Sequence, residues 1–158
     1  MFVLDRGHIT AFDTPGLGPA EFQRINNRGQ IVGSYTKGAD AALAGYLRDE
    51  RGRITQVAVP GAVETSPLGV DDRGEIVGNY QEEVGGAFHG FLRDEHGRYT
   101  TIEVPGATAT QAFGINNRDQ VVGDYAGADG VAHGYLWTAG DFTWGSTIAA
   151  RPRSLSGL

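Results

Sequence analysis

The sequence has no cysteine among its 158 residues, which excludes a disulfide framework, a thiolate metal site and a cysteine nucleophile. It also lacks any apolar run near the roughly 20 residues that a membrane helix needs. Basic residues are outnumbered by acidic ones, 13 to 19, and the net charge is −6. Because an acidic chain repels a phosphate backbone, we expect neither nucleic acid nor a membrane as a partner.

The first residues do not show the basic, apolar and small-residue order of a signal peptide. On this basis the expected location is cytoplasmic as the chain stands, and extracellular if a leader has been removed. Disulfide-free chains occur in every compartment, so the absence of cysteine leaves the location open.

Glycine is abundant, with 25 residues of 158, against about 7% in an average protein. This much glycine disfavours long helices and favours many tight turns. The hydrophobic fraction of 40% still allows a normal core. No useful length of the chain shows the 3.6-residue apolar period of a helix, so the sequence predicts an all-β fold.

The chain repeats itself every 45 residues. A Pro-Gly pair recurs at positions 15, 60 and 105, and a Gly-x-Tyr motif begins at Gly33, Gly78 and Gly123. The stretch Ile25–Gly33, Ile-Asn-Asn-Arg-Gly-Gln-Ile-Val-Gly, has close copies at residues 70–78 and 115–123. A fixed period of this length is the signature of a repeat architecture.

Each unit is predicted to hold four short strands, which we name a, b, c and d. The a–b turn, Asn-Asn-Arg-Gly in the first copy, suits a type I turn closed by a left-handed residue. Asp119 takes the place of that glycine in the third copy, and aspartate tolerates a positive φ. The chain opens with a c–d pair and continues with three a-b-c-d sets, which predicts fourteen strands.

We therefore predict one β-repeat domain over residues 1–150, with units of about 2–45, 46–90 and 91–134 and a partial unit at 135–150. Residues 151–158 have lost the repeat and are predicted to form a loosely ordered tail. Four-stranded antiparallel units of this length are typical of β-propeller blades, here about 3.5 of them. A β-trefoil, which also repeats a four-strand unit, is the alternative.

The half unit predicts self-association, because unpaired sheet edges invite pairing. Two chains contain 28 predicted strands, enough for seven four-stranded blades. The hypothesis is a homodimer that closes a ring, in which each chain completes the split blade of the other.

The repeat resembles the HAF-type repeats of bacterial proteins, which are described as extracellular repeats. The resemblance covers residues 2 to about 140 and is carried by Gly114-Ile115-Asn116, Val121–Tyr125, His89–Leu92 and Val104–Ala107. It implies a β-propeller-like array and an extracellular or envelope setting. It brings no set of catalytic residues with it.

Positions that break the repeat are the candidates for function. Arg24 stands where the other copies have glycine, and its guanidinium would suit a carboxylate or phosphate in a central channel. The middle residue of Gly-x-Tyr varies in polarity, as a ligand-facing site would. The candidate ligand-binding residues are Arg24, Ser34, Asn79, Asp124, Tyr35, Tyr80 and Tyr125.

A second candidate set is catalytic. His89 and His133 share one repeat position, and with Asp124 they are the residues able to act as an acid or base. The sequence contains no metal-binding spacing, P-loop or dinucleotide motif, so we expect no metal and no cofactor. The predicted function is a non-catalytic binding or scaffold module for a small molecule, glycan or protein. The alternative is a small acid–base enzyme of the hydrolase, lyase or isomerase type.

Overall fold

The computed structural model describes residues 2–11, 20–37, 42–138 and 141–144. Within these ranges all regular structure is β, and no helix is present that could cross a membrane. The strands are β1 Phe2–Asp5, β2 His8–Ala11, β3 Ala20–Ile25, β4 Ile31–Lys37, β5 Ala42–Arg48, β6 Ile54–Val57, β7 Glu64–Val70, β8 Ile76–Gln81, β9 His89–Arg93, β10 Tyr99–Ile102, β11 Ala109–Ile115, β12 Gln120–Ala126, β13 Ala132–Thr138 and β14 Asp141–Trp144.

The strands form three four-stranded antiparallel sheets and one hairpin. Each sheet uses four consecutive strands in the order β3-β4-β5-β6, β7-β8-β9-β10 or β11-β12-β13-β14, and β1 pairs with β2 alone. We call the sheets blades 1, 2 and 3, and within each blade strand a lies at one edge and strand d at the other. The predicted fold class, tandem four-stranded units of β-propeller type, is confirmed. A trefoil would mix strands of different repeats in one barrel, which these sheets do not do.

In each a–b turn, a side-chain oxygen of the first turn residue accepts hydrogen bonds from two backbone amides that follow it. In blade 1, Asn26 Oδ1 accepts hydrogen bonds from the amides of Arg28 and Gln30, at 3.0 and 2.9 Å. The residue closing the turn is left-handed in each blade: φ is +76° at Gly29, +88° at Gly74 and +60° at Asp119. The predicted positive φ of Asp119 is therefore confirmed.

The glycine of the Gly-x-Tyr motif allows an aromatic ring to lie across the sheet. Gly78 on strand b faces Phe91 on strand c of the same blade, and a Cβ at Gly78 would come within 2.9 Å of the Phe91 ring. In blades 1 and 3 the aromatic residue is tyrosine, and its hydroxyl donates to the strand a carbonyl of Glu21 or Gln111. The aromatic residue of strand c thus ties strands a, b and c together.

The hydrophobic core lies between neighbouring blades. One cluster, which includes Val32 and Phe91, fills the space between blades 1 and 2, and another, which includes Val77 and Val121, fills the space between blades 2 and 3. Val122 has the same repeat position as Val32 and Val77. Those two valines are fully buried, whereas Val122 is 51% exposed. Burial at this position therefore requires a following blade.

The hairpin β1–β2 has the register of a c–d pair. Phe2 lies opposite Ala11 as Tyr135 lies opposite Trp144. Two copies of the described strands therefore supply two c–d pairs for a split blade and no a–b pair, so the ring of seven blades does not follow from the strand types. The predicted self-association stays a prediction. The tail predicted at 151–158 lies outside the described residues.

Candidate functional site

The turns that follow strand a in the three blades converge on one pocket. This axial pocket has a volume of about 350 Å³. Each blade contributes four consecutive residues to its wall: positions 24–27, 69–72 and 114–117. Because strands β3, β7 and β11 lie side by side, the repeat itself brings these equivalent positions together.

Hydrogen bonds between equivalent turn residues line the rim of the pocket. Asp72 Oδ1 accepts from the amide of Asn27 at 2.9 Å, and Asp72 Oδ2 accepts from the side-chain amides of Asn27 and Asn117 at 2.9 and 2.8 Å. The amide of Asp72 in turn donates to Asn117 Oδ1 at 2.9 Å. One carboxylate therefore links three blades, and we call Asn27, Asp72 and Asn117 the axial triplet.

The axial triplet keeps Asp72 ionised. The pKa of Asp72 is lowered, mainly by hydrogen bonds from the side chains of Asn27 and Asn117 and also by the amide of Asn27. These donors favour the charged carboxylate over the neutral acid. The pocket thus carries a fixed negative charge on its rim.

We expect Asp72→Asn to lower the melting temperature at pH 7. Both carboxylate oxygens of Asp72 accept hydrogen bonds, so the NH2 group of the introduced asparagine would face a donor group of Asn27 or Asn117 instead of accepting from it. Since the folded-state pKa is depressed, the stability that Asp72 contributes is present above the ordinary aspartate pKa and is lost as the pH falls through the folded pKa. The melting temperatures of wild type and variant should therefore converge towards acidic pH. A thermal unfolding series across pH measures this, and a pH-independent gap would contradict it.

Arg24 lines the axial pocket together with Gly69 and Gly114, which hold the same repeat position in the other blades. Its side chain is exposed. Among the described residues no hydrogen bond or ion pair engages its guanidinium, since the salt bridges found there use other arginines and histidines. Arg24, which also lines a neighbouring groove beside β1, is therefore a cationic residue at the axial pocket with no partner among the described residues.

The variable residues of Gly-x-Tyr do not line this pocket. Ser34 and Asn79 are buried, each 6% exposed. Asn79 Oδ1 accepts from the amide of Ala112 at 2.8 Å, and its Nδ2 donates to Gln111 Oε1 at 3.3 Å. Asn79 thus bonds blade 2 to blade 3. Asp124, the same position in blade 3, is half-buried.

The tyrosines and histidines form a separate lateral arrangement. Tyr80 is buried and stacks on His89, with ring centroids 5.2 Å apart, and Tyr125 stacks on His133 at the same distance. His89 Nδ1 lies 2.6 Å from Glu103 Oε1, in a pocket of about 320 Å³ between blades 2 and 3. Tyr35 is half-buried. His89 and Arg24 therefore belong to different pockets.

One acidic cluster lies close to the axial pocket. Oxygen atoms of Asp71, Glu75 and Asp119 come within 4.8 Å of one another. Arg73 already occupies the centre of the cluster, because its guanidinium bonds all three carboxylates. Burial raises the pKa of Glu75. The cluster is explained as an ion-pair network between blades 2 and 3.

The axial triplet was not among the sequence-based candidates, although a signal was present. Asn27, Asp72 and Asn117 recur at intervals of 45 residues, but a polar residue in every turn is also what turn formation alone requires. The turn itself is built by the preceding residue, as Asn26 shows, which leaves the side chains of the axial triplet free to bond between blades.

Comparisons with known proteins give little further information. No protein-family model matches the chain, and no curated protein matches it. One solved structure to which the fold is similar is described as "Structure of a fucose lectin from Kordia zhangzhouensis in complex with methyl-fucoside". The similarity has a TM-score of 0.45 and 14% sequence identity, and it covers 81% of this chain and 98% of that chain.

Proposed function

We propose that this chain is a non-catalytic binding module whose axial pocket takes a small polar ligand with an acidic group, such as an acidic sugar unit of a glycan. The observation that carries the proposal is Arg24, whose guanidinium has no hydrogen-bond or ion-pair partner among the described residues and which lines a pocket whose rim also holds the Asp72 carboxylate and the amides of Asn27 and Asn117. A guanidinium binds a carboxylate with two parallel hydrogen bonds, while carboxamide groups can both donate to and accept from sugar hydroxyls.

The shape of the pocket supports a small ligand over a macromolecule. Its volume of about 350 Å³ lies at the lower end of the range of roughly 300–1,000 Å³ for small-molecule sites. The repeat-breaking position is also informative: Arg24 adds a positive charge to one wall of the pocket, so that a ligand with an acidic group can bind in one orientation. That this chain belongs to the HAF-type repeat family is part of the proposal, and it is supported only by the recurrent sequence motifs.

An enzymatic role has weaker support. Acid–base catalysis at this site would need an acid or base together with an anion clamp within reach of one substrate. Arg24 lines the axial pocket, whereas His89 lies with Glu103 in the lateral one. The triplet carboxylate, Asp72, is already held by donors from two blades, which suits recognition better than proton transfer.

We expect glucuronic acid to bind the protein more tightly than glucose, and Arg24→Ala to weaken that binding about tenfold or more, because a hydrogen bond to a charged group is lost. Arg51→Ala is the matched control, since Arg51 is an exposed arginine of a c–d turn and does not line the pocket. Isothermal titration calorimetry with both sugars measures the effect. Equal affinity for the two sugars, or an unaffected Arg24→Ala variant, would contradict the proposal.

A further inference from the structure

A histidine and a glutamate form a hydrogen-bonded pair at one end of blade 2. Gly90 of strand c lies opposite Ile102 of strand d, so the next positions in the same register are His89 and Glu103. His89 Nδ1 lies 2.6 Å from Glu103 Oε1. Because an ionised carboxylate can only accept a hydrogen bond, Nδ1 carries the proton. We call His89 and Glu103 the lateral pair.

Two contacts fix the imidazole ring of the lateral pair. Tyr80 of strand b lies opposite His89, and the two rings stack with their centroids 5.2 Å apart. Tyr80 is itself buried, and its hydroxyl lies 3.2 Å from Thr101 Oγ1. Because the proton is on Nδ1, the neutral ring keeps a lone pair on Nε2. The second ring nitrogen is therefore an acceptor whose direction is fixed by the blade.

The lateral pair lines the pocket of about 320 Å³ between blades 2 and 3, which we call the lateral pocket. Among the described residues of its wall there is no lysine or arginine. Neither His89 Nε2 nor Glu103 Oε2 has a hydrogen-bond partner among the described residues. Phe88 lines the same pocket, and its side chain is exposed. The lateral pocket therefore combines two unused acceptors, a negative charge and an aromatic ring.

The corresponding pocket between blades 1 and 2 lacks the lateral pair. Ala44 has the repeat position of His89, and Ala58 has that of Glu103. Both alanines line that pocket, together with Lys37, and its volume is only about 170 Å³. Blade 1 nevertheless forms the same four-stranded sheet. The blade fold thus does not require a histidine and a glutamate at these positions, which points to a role in binding.

We propose that the lateral pocket is a second binding site, for a ligand that carries a primary ammonium group on an apolar stem. An ammonium group has three N–H donors and no acceptor, so it can donate to both free acceptors of the lateral pair. Its charge is opposite to that of the carboxylate, which strengthens the hydrogen bond. The ring of Phe88 offers a face that attracts cations.

Other ligand classes match the pocket less well. A zinc site uses at least three protein ligands, whereas the lateral pair supplies two. A hydroxyl group donates a single hydrogen and gains nothing from the charge of Glu103. The acidic ligand proposed for the axial pocket would be repelled by Glu103, so the two sites select ligands of opposite charge. The lateral site is independent of the proposal for the axial pocket.

The test is a titration of the ¹⁵N-labelled full chain with butylamine, followed by the backbone amide resonances. We expect saturable shifts at residues 88–90 and 103–110, and none at residues 42–44 and 56–65 of the corresponding pocket. Butanol is the matched neutral probe, because it has the same stem with a hydroxyl group, and it should cause no saturable shift. N-acetyl-lysine methylamide presents the same ammonium group on a peptide backbone. Tighter binding than butylamine would assign the site to a lysine of a protein, and weaker binding would assign it to a free amine.

Glu103→Gln should weaken the binding of butylamine about tenfold, because a hydrogen bond to a charged group is lost. Glu95→Gln is the matched control. The Glu95 side chain is 56% exposed against 58% for Glu103, and it also has a histidine neighbour, His96 at 3.8 Å, but it does not line the pocket. His89→Phe keeps an aromatic ring on Tyr80 and removes Nε2, and it should weaken binding about fivefold. Melting temperatures close to that of the wild type show that the variants are folded.

Three results would overturn the inference. The first is butanol binding as well as butylamine, which would assign the pocket to hydroxyl or apolar ligands. The second is amine-induced shifts that lie outside residues 88–110, and the third is an equal effect of Glu103→Gln and Glu95→Gln, which would indicate general attraction to an acidic surface.

Discussion

Replacing Phe91 with alanine should lower the free energy of unfolding by about 3–5 kcal/mol, the usual cost of removing a large aromatic side chain from a core. Phe91 is fully buried and belongs to the cluster between blades 1 and 2. Because domains of this size are stable by only about 5–15 kcal/mol, much of the variant should be unfolded at modest urea concentration. Urea unfolding followed by tryptophan fluorescence measures the difference.

The matched control is the same substitution at the same repeat position in the hairpin. Phe2→Ala should change the free energy of unfolding by no more than about 0.5 kcal/mol, as for other exposed positions, because Phe2 is 64% exposed. Equal costs for the two variants would show that the Phe2 side chain is covered in solution.

A methyl group at Gly78 should be nearly as disruptive as the loss of the ring. A Cβ there would lie 2.1 Å from the carbonyl oxygen of Ser66 and 2.8 Å from the Cα of Pro67. Both are backbone atoms of strand a, so relief requires that the two strands separate. We expect Gly78→Ala to lower the free energy of unfolding by about 2–3 kcal/mol, in the range of overpacked cores.

Gly134→Ala is the control for this prediction. Gly134 lies on strand c of blade 3, and the nearest atom to its Cβ position is the carbonyl oxygen of Gly123 at 3.9 Å. The substitution should be neutral or slightly stabilising, because alanine restricts the unfolded chain more than glycine does. Thermal unfolding of both variants distinguishes a steric effect at Gly78 from a general cost of replacing glycine in strands.

The strands and their grouping could be predicted from the sequence, because the period of 45 residues and the turn residues are local signals. Arg24 can also be singled out from the sequence, since it breaks the repeat at the end of strand a. The role of Asn79 was not. Whether a variable strand residue faces a ligand or the next blade depends on the packing between sheets, and the sequence alone does not fix that packing.

Exposure at the ends of the array shows the same limit. Val77 and Val122 have nearly the same local sequence, yet one is fully buried and the other is half exposed. The difference lies in the presence of a neighbouring sheet, which is a non-local property. For the same reason the sequence does not single out the axial triplet, because each of its residues has the character of a turn residue until three turns are brought together.

The bonds between blades join residues that are 45 positions apart, as in Asn27 with Asp72 and Asp72 with Asn117. This offset has a consequence for how such a gene can change. Duplication or deletion of a whole unit of 45 codons keeps each residue next to a partner of the same type, so the copy number can vary while every interface survives. An insertion of any other length in a strand shifts the register of that strand and changes the offset of every contact that spans it, while contacts between later units keep theirs. Substitutions, in turn, are expected to be compensated one repeat away rather than nearby in the sequence.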